Sequence, residues 1–93
     1  MNIGDLVPDA EVPELVVVLK AIQLYQKVDV RYNKYVLVRE YYVEDETGST
    51  RLTTFNKDLK KNVEDRLVIK RAWCKFDKFK GNVLTLGKWG FVQ

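Results

Sequence analysis

Leu15-Val16-Val17-Val18-Leu19 is the longest unbroken apolar run in the chain. Three successive valines are stiff at χ1 and fit a pleated surface better than a helical turn, so the run reads as a strand. An uninterrupted apolar stretch of this length predicts a strand covered on both faces at one end. It is far too short to cross a bilayer. Ala21-Ile22-Gln23-Leu24-Tyr25 carries the strand on to about Tyr25.

Residues 1–14 are acidic, contain both prolines (Pro8 and Pro13) and read as a lead-in segment. Residues 26–34 are polar and loop-like. A second strand is expected from Tyr35 to Glu44, with Leu37, Tyr41 and Val43 on one side and Val36, Val38, Glu40 and Tyr42 on the other. Asp45-Glu46-Thr47-Gly48 then closes a tight hairpin. The third strand, Ser49 to Phe55, puts Leu52 and Thr54 inward and Arg51, Thr53 and Phe55 outward. Asn56 is a reasonable helix cap, and Lys57 to Asn62 reads as a short helix. A fourth strand starts near Arg66. Gly81-Asn82 breaks it from a fifth, Val83 to Leu86, which can continue to Val92. One all-β domain over residues 1–93 is therefore expected, a five-stranded barrel with a short helix between strands 3 and 4. That is the plan of an OB-fold, with an SH3-like barrel as the rival.

The fourth strand contains a conflict of register. Leu67 and Ile69 look like core, yet so do Ala72 and Cys74, which alternate with them out of phase. A bulge near Lys70-Arg71 resolves this and turns Trp73 outward. Phe76, in phase with Ala72 and Cys74, is then expected to be buried.

The chain has one cysteine and no histidine. An internal disulfide is impossible and a zinc site is not expected. A Ser-His-Asp triad and a Cys-His pair are ruled out, so the expectation is a binding protein without cofactor or metal rather than an enzyme. Cys74 reads as a small buried hydrophobe. With no basic-then-apolar leader and no membrane span, a cytoplasmic location is the default.

Charge is unevenly spread. Residues 1–50 hold five basic against nine acidic side chains, and residues 51–93 hold eleven against four. The positive half fits a polyanionic partner. Within it, the stretch from Lys70 to Lys80 interleaves Trp73, Phe76 and Phe79 with Lys70, Arg71, Lys75, Lys78 and Lys80. Single-stranded nucleic acid offers a charged backbone and flat base faces, and such a mixture of cations and rings suits both.

The order of motifs resembles a known family. Ile3-Gly4-Asp5-Leu6-Val7-Pro8, Asp45-Glu46-Thr47-Gly48, Leu52-Thr53-Thr54-Phe55, Ala72-Trp73, Phe79-Lys80-Gly81-Asn82 and Val83-Leu84-Thr85-Leu86 follow one another as in the single-OB-fold single-stranded DNA-binding proteins of archaea. Those proteins are similar to the small eukaryotic sensors of single-stranded DNA. The resemblance covers about residues 3–87. It implies binding of single-stranded DNA with low sequence specificity, in replication, repair or recombination, by stacking bases on Phe55, Trp73 and Phe79.

Tyr42 extends the expected aromatic platform. Arg51, Lys75, Lys78 and Lys80 are the expected phosphate or base contacts. The chain departs from the family pattern in three ways. Two extra residues separate Trp73 from Phe79, which leaves Phe76 as a rival stacker. Phe55 stands where Trp is usual, and no charged tail follows Gln93. Two other readings stay open: an RNA-binding OB-fold, and an interaction subunit that forms an oligomer or holds a partner protein through Trp89 and Phe91.

Overall fold

The computed structural model describes residues 1–93, the side chain of Asp29 excepted. Five strands follow a single 3-10 turn, Ile3–Asp5: β1 (Ala10–Asp29), β2 (Lys34–Asp45), β3 (Gly48–Phe55), β4 (Arg66–Asp77) and β5 (Gly81–Val92). They close into a barrel in the order β1-β2-β3-β5-β4. Four of the seams are antiparallel. The fifth is a short parallel contact, Leu52 opposite Leu84 and Thr53 opposite Thr85, that joins β3 to β5.

The core is filled from every strand. Leu15, Leu19, Tyr41, Leu52, Leu67, Ile69, Ala72, Cys74 and Leu84 are all buried. Tyr41 keeps its hydroxyl satisfied by accepting the Leu59 N–H at 3.1 Å, as a buried phenol requires. Along the valine run only Leu15, Val17 and Leu19 are buried, while Val16 is exposed and Val18 half-buried. The expected second cover is missing there because one long strand serves two ladders. It runs beside β4 through Val18 and beside β2 from Val18 onward. Among the described residues no further layer packs on its outside.

β1 begins within the expected lead-in and includes Pro13. Proline has no N–H to give a ladder. Its opposite number on β4 falls at Arg71, which has φ 54 and lies in the register shift between Lys70 and Ala72. The predicted bulge is therefore present. Ala72 and Cys74 point inward, and Trp73 points outward. On the other side of β4, the four residues Gly87-Lys88-Trp89-Gly90 span the same gap in β5. Gly90 is needed there, since a Cβ would lie 2.7 Å from Leu86 Cδ2 and 3.0 Å from the Arg71 carbonyl oxygen.

The short helix expected between strands 3 and 4 does not form among residues 56–65. Asn56, Lys60 and Glu64 all have positive φ, at 54, 56 and 76, which a right-handed helix cannot hold. The segment lies instead across one end of the barrel. Thr54 Oγ1 donates to the Lys57 carbonyl at 2.8 Å, and Leu59 packs on the core.

Candidate functional site

Residues 26–34 are not a loop. β1 and β2 continue as a two-stranded ribbon from Ala21 opposite Tyr42 to Asp29 opposite Lys34, turning at residues 30–33 with Asn33 at φ 50. β3 accompanies it only as far as Val38. Beyond that, Asn56 closes the open edge: its Oδ1 accepts the Leu37 N–H at 2.9 Å, and its own N–H donates to the Leu37 carbonyl at 2.7 Å. The ribbon projects from the barrel with Val28, Val30, Tyr32 and Tyr35 exposed.

At the foot of the ribbon, the outward residues of three strands form one face. β1 contributes Gln23 and Tyr25, β2 contributes Val38, Glu40 and Tyr42, and β3 contributes Arg51, Thr53 and Phe55. Glu40 sits in the middle of this face and is only 3% exposed. Lys80 Nζ donates to its Oε1 at 2.6 Å, and the Tyr25 hydroxyl lies 3.4 Å from the same oxygen. Arg51 Nη1 approaches Oε2 at 3.5 Å. The Tyr42 proton is shared between Glu40 Oε2 at 3.3 Å and Gln23 Oε1 at 2.9 Å. Burial pushes the Glu40 carboxyl up, but Lys80, Arg51 and Tyr42 outweigh it and hold it below its usual value. The same pair raises the Lys80 ammonium, chiefly through its hydrogen bond to Glu40. Burial, with the Glu40 charge beside it, raises the Tyr25 phenol. Arg51 also lies 4.8 Å over the Tyr42 ring, a cation–π contact that fixes both side chains.

Lys80 reaches Glu40 from the turn between β4 and β5. That turn is built by Asp77, whose Oδ1 accepts the N–H groups of Phe79 at 2.8 Å and Lys80 at 3.0 Å. Those two N–H groups hold the Asp77 carboxyl below its usual value. Gly81, at φ 77, closes the turn, a conformation that glycine adopts without strain.

The expected site residues are thus spread over three places. Tyr42, Arg51 and Lys80 meet around Glu40. Phe55, half exposed, is opposite Val38 on the same face and lines a concavity of about 580 Å³ with Lys27, Val30, Arg31 and Val36 of the ribbon. Phe79, 90% exposed, stands at the tip of the β4–β5 turn with Lys78 Nζ 5.8 Å from its ring. Lys75 is exposed on β4, and among the described residues neither it nor Lys78 has an ion-pair partner.

Trp73 stands apart. It pairs with Thr85, Thr85 with Thr53, and Thr53 with Glu40. Three interstrand spacings, roughly 14 Å along the curved surface, therefore separate it from Glu40. It shares a second concavity, about 490 Å³, with Arg71, Lys88 and Trp89. Lys88 Nζ lies 5.2 Å over the Trp89 ring.

Phe76 corrects the expectation of a buried ring, being 65% exposed. It keeps the inward phase of Ala72 and Cys74, but Cys74 is the last residue of β4 that β1 covers. Past that point β4 pairs only with β5, and the ring is left without β1 to cover it. Sequence reasoning also missed Tyr25, Glu40 and the ribbon residues Lys27 and Arg31. The signal for the ribbon was the alternation of Val28, Val30 and Tyr32 with polar residues. The expected charge separation is also reduced by the fold. Lys20–Glu64, Arg39–Asp58, Arg51–Glu40, Lys70–Glu14 and Lys80–Glu40 are ion pairs, and all five join the two halves of the chain.

No family model and no curated protein matches the chain. Solved structures do. The OB domain of a Thermoplasma acidophilum protein shares 19% identity over 100% of this chain and 83% of its own, with a TM-score of 0.80. The fold is an OB-fold. A replication factor A related protein from Methanobacterium thermoautotrophicum is similar at 18% identity and TM-score 0.80, over 100% of this chain and 87% of that one. In this OB barrel the ribbon connects strands 1 and 2, the Lys78–Lys80 turn connects strands 4 and 5, and the Glu40 face lies between them. Among the described residues, no three acidic or cysteine side chains converge as metal ligands would. No helix is long and apolar enough to cross a membrane.

Proposed function

We propose that this OB domain binds single-stranded nucleic acid, with DNA as the first candidate, by stacking and charge rather than by catalysis. The observation that carries the reading is the face between the ribbon and the β4–β5 turn, where Tyr42 and Phe55 offer rings and Arg51, Lys80 and Lys27 offer charge. In OB-folds this face and its two flanking loops hold oligonucleotides or oligosaccharides. The likeness to a replication factor A related protein supports the first of these, and with it a role in replication, repair or recombination.

Each stacked base contributes about 1–3 kcal/mol, with little preference among bases. Phosphate contacts from Lys78, Lys80 and Arg51 add a salt-dependent part. Three full contacts would give a slope of about −2 in log K against log salt for a single strand, and an acid of the protein that holds Lys80 or Arg51 makes it shallower. A strand reaching Trp73 must continue past Thr53 and Thr85, within the ~4–16 nucleotides that one OB-fold covers.

Both tryptophans of the chain line the second concavity. Two optical signals therefore separate the two places. Fluorescence anisotropy of labelled oligothymidylate should rise at low salt for short and long strands alike, and tryptophan quenching should grow with strand length. Quenching at no length would remove Trp73 and Trp89 from the path. No anisotropy change with DNA or with matched RNA would remove the nucleic-acid reading. Trp89 is 71% exposed and Phe91 44%, which favours a partner surface as the second reading. A chain that is monomeric by light scattering and shows length-dependent quenching would count against an oligomer contact there.

A further inference from the structure

Four donors converge on one carboxylate in the middle of an outward-facing surface. Glu40 lies on the same register line as Val38 and Tyr42, yet its side chain is only 4% exposed. Lys80 closes over it at 2.6 Å from a turn 40 residues away in sequence, Arg51 lies at 3.5 Å, and the Tyr25 and Tyr42 hydroxyls complete the shell at 3.4 and 3.3 Å. A cluster of two cations and two hydroxyls is what a phosphate oxygen seeks. Here the protein's own acid already holds that place. Lys80 keeps a third of its side chain exposed and can turn to an outside anion, while Arg51, held over the Tyr42 ring, stays beside Glu40.

We propose that Glu40 is an internal competitor for the nucleic-acid backbone. Its carboxylate fills the anion position that Lys80, Arg51, Tyr25 and Tyr42 build, and a bound strand draws Lys80 away from it. This rests on the nucleic-acid reading above and assigns that site its tuning residue. With Glu40 in place the two cations present a net of one positive charge rather than two. The sequence-independent phosphate contribution is damped, and stacking on Phe55 and Tyr42 carries a larger share of the affinity. The same ion pair ties the β4–β5 turn to β2. The turn that carries Phe79 is therefore held in one place until a phosphate takes over Lys80.

The test compares Glu40→Gln with Glu46→Gln, an exposed residue of the β2–β3 turn whose loss changes net charge equally. Labelled oligothymidylate is titrated by anisotropy over a range of salt concentrations. Glu40→Gln should bind about three- to tenfold tighter at low salt, with a slope steeper by about 0.7, one further phosphate contact on a single strand. Glu46→Gln should leave the slope unchanged. Glu40→Asp keeps the charge but draws the carboxylate back from Lys80. It should show a smaller gain and serves if the glutamine variant does not fold. Equal effects of Glu40→Gln and Glu46→Gln would reduce the result to net charge and overturn the proposal. Binding by the unmodified protein without any gain in Glu40→Gln or Glu40→Asp would overturn the proposal alone. Binding by none of the proteins would overturn it together with the nucleic-acid reading.

Discussion

Replacing Tyr42 and Phe55 together by alanine should abolish most of the oligonucleotide affinity while the barrel stays folded. Both rings point outward from β2 and β3, and neither belongs to the buried core. Two lost stacks are worth about 2–6 kcal/mol, a loss of at least ~30-fold and up to ~10⁴-fold in affinity. Tyr42→Phe separates the ring from its hydroxyl. The ring still lies under Arg51, so this variant should bind nearly as well as the unmodified protein. Anisotropy measured alongside circular dichroism checks both expectations. Retained binding by a folded double variant would place the strand elsewhere on the barrel.

The second large effect concerns stability and belongs to Asp45. This residue does more than start the β2–β3 turn. Its Oδ1 accepts the Thr47 N–H at 2.7 Å and the Thr47 hydroxyl at 2.6 Å, while Oδ2 accepts the Ile3 N–H at 2.7 Å. Thr47 Oγ1 in turn accepts the Gly4 N–H at 2.8 Å. The turn thereby seats the 3-10 turn Ile3–Asp5, which brings Ile3 and Leu6 into the core. Hydrogen bonds to a charged acceptor are worth about 1.5–3 kcal/mol each, and they act here as a linked set. Asp45→Ala should cost about 2–4 kcal/mol and lower the thermal midpoint by about 10–20 °C.

The effect carries a pH signature. Burial raises the Asp45 carboxyl, but the hydrogen bonds from Thr47, Ile3 and Gly48 outweigh it and hold it below its usual value. A carboxyl depressed in the folded state contributes its full stabilisation above its unfolded value, about pH 4. That contribution is lost as pH falls through the folded value. Glu40 behaves in the same direction. Stability of the unmodified protein should therefore fall below about pH 4. In Asp45→Ala the fall should be shallower. Thermal melts at pH 7 and pH 3 measure it, and parallel curves for the two proteins would contradict the assignment.

Much of the barrel was legible because core-facing strands advertise themselves. Leu52 and Thr54 alternate cleanly with Arg51 and Phe55. The phase conflict between Ile69 and Ala72 was itself a sign of the bulge at Arg71. The misses share a cause. Periodicity marks a strand by its buried side, and the outer part of the ribbon, residues 26–35, has no buried side chain among those described, so Val28, Val30 and Tyr32 read as loop. Phe76 has the phase of a core residue but lies beyond the last residue that β1 covers. The helix at 57–62 was read from a cap and a polar run, whereas the backbone turns left-handed at Asn56, Lys60 and Glu64.

The site was only partly legible for a similar reason. Arg51, Tyr42 and Phe55 were recognisable from strand alternation. The place of Trp73, three strands round from Glu40, depends on the parallel β3–β5 seam, which joins residues distant in sequence. Strand alternation places Glu40 on the side of Val38 and Tyr42 with no role of its own. Its burial follows from a lysine that arrives from a turn 40 residues later.

The proposed path of a single strand is the face between the ribbon and the β4–β5 turn. The most direct test is a titration of isotopically labelled protein with unlabelled oligothymidylate, followed by backbone amide shifts in nuclear magnetic resonance. Shifts should appear first and largest at residues 23–42, 51–55 and 78–81, with the Trp73 and Trp89 region joining only for longer strands. Shifts confined to residues 71–73 and 87–91, or none at saturating oligonucleotide, would contradict the account.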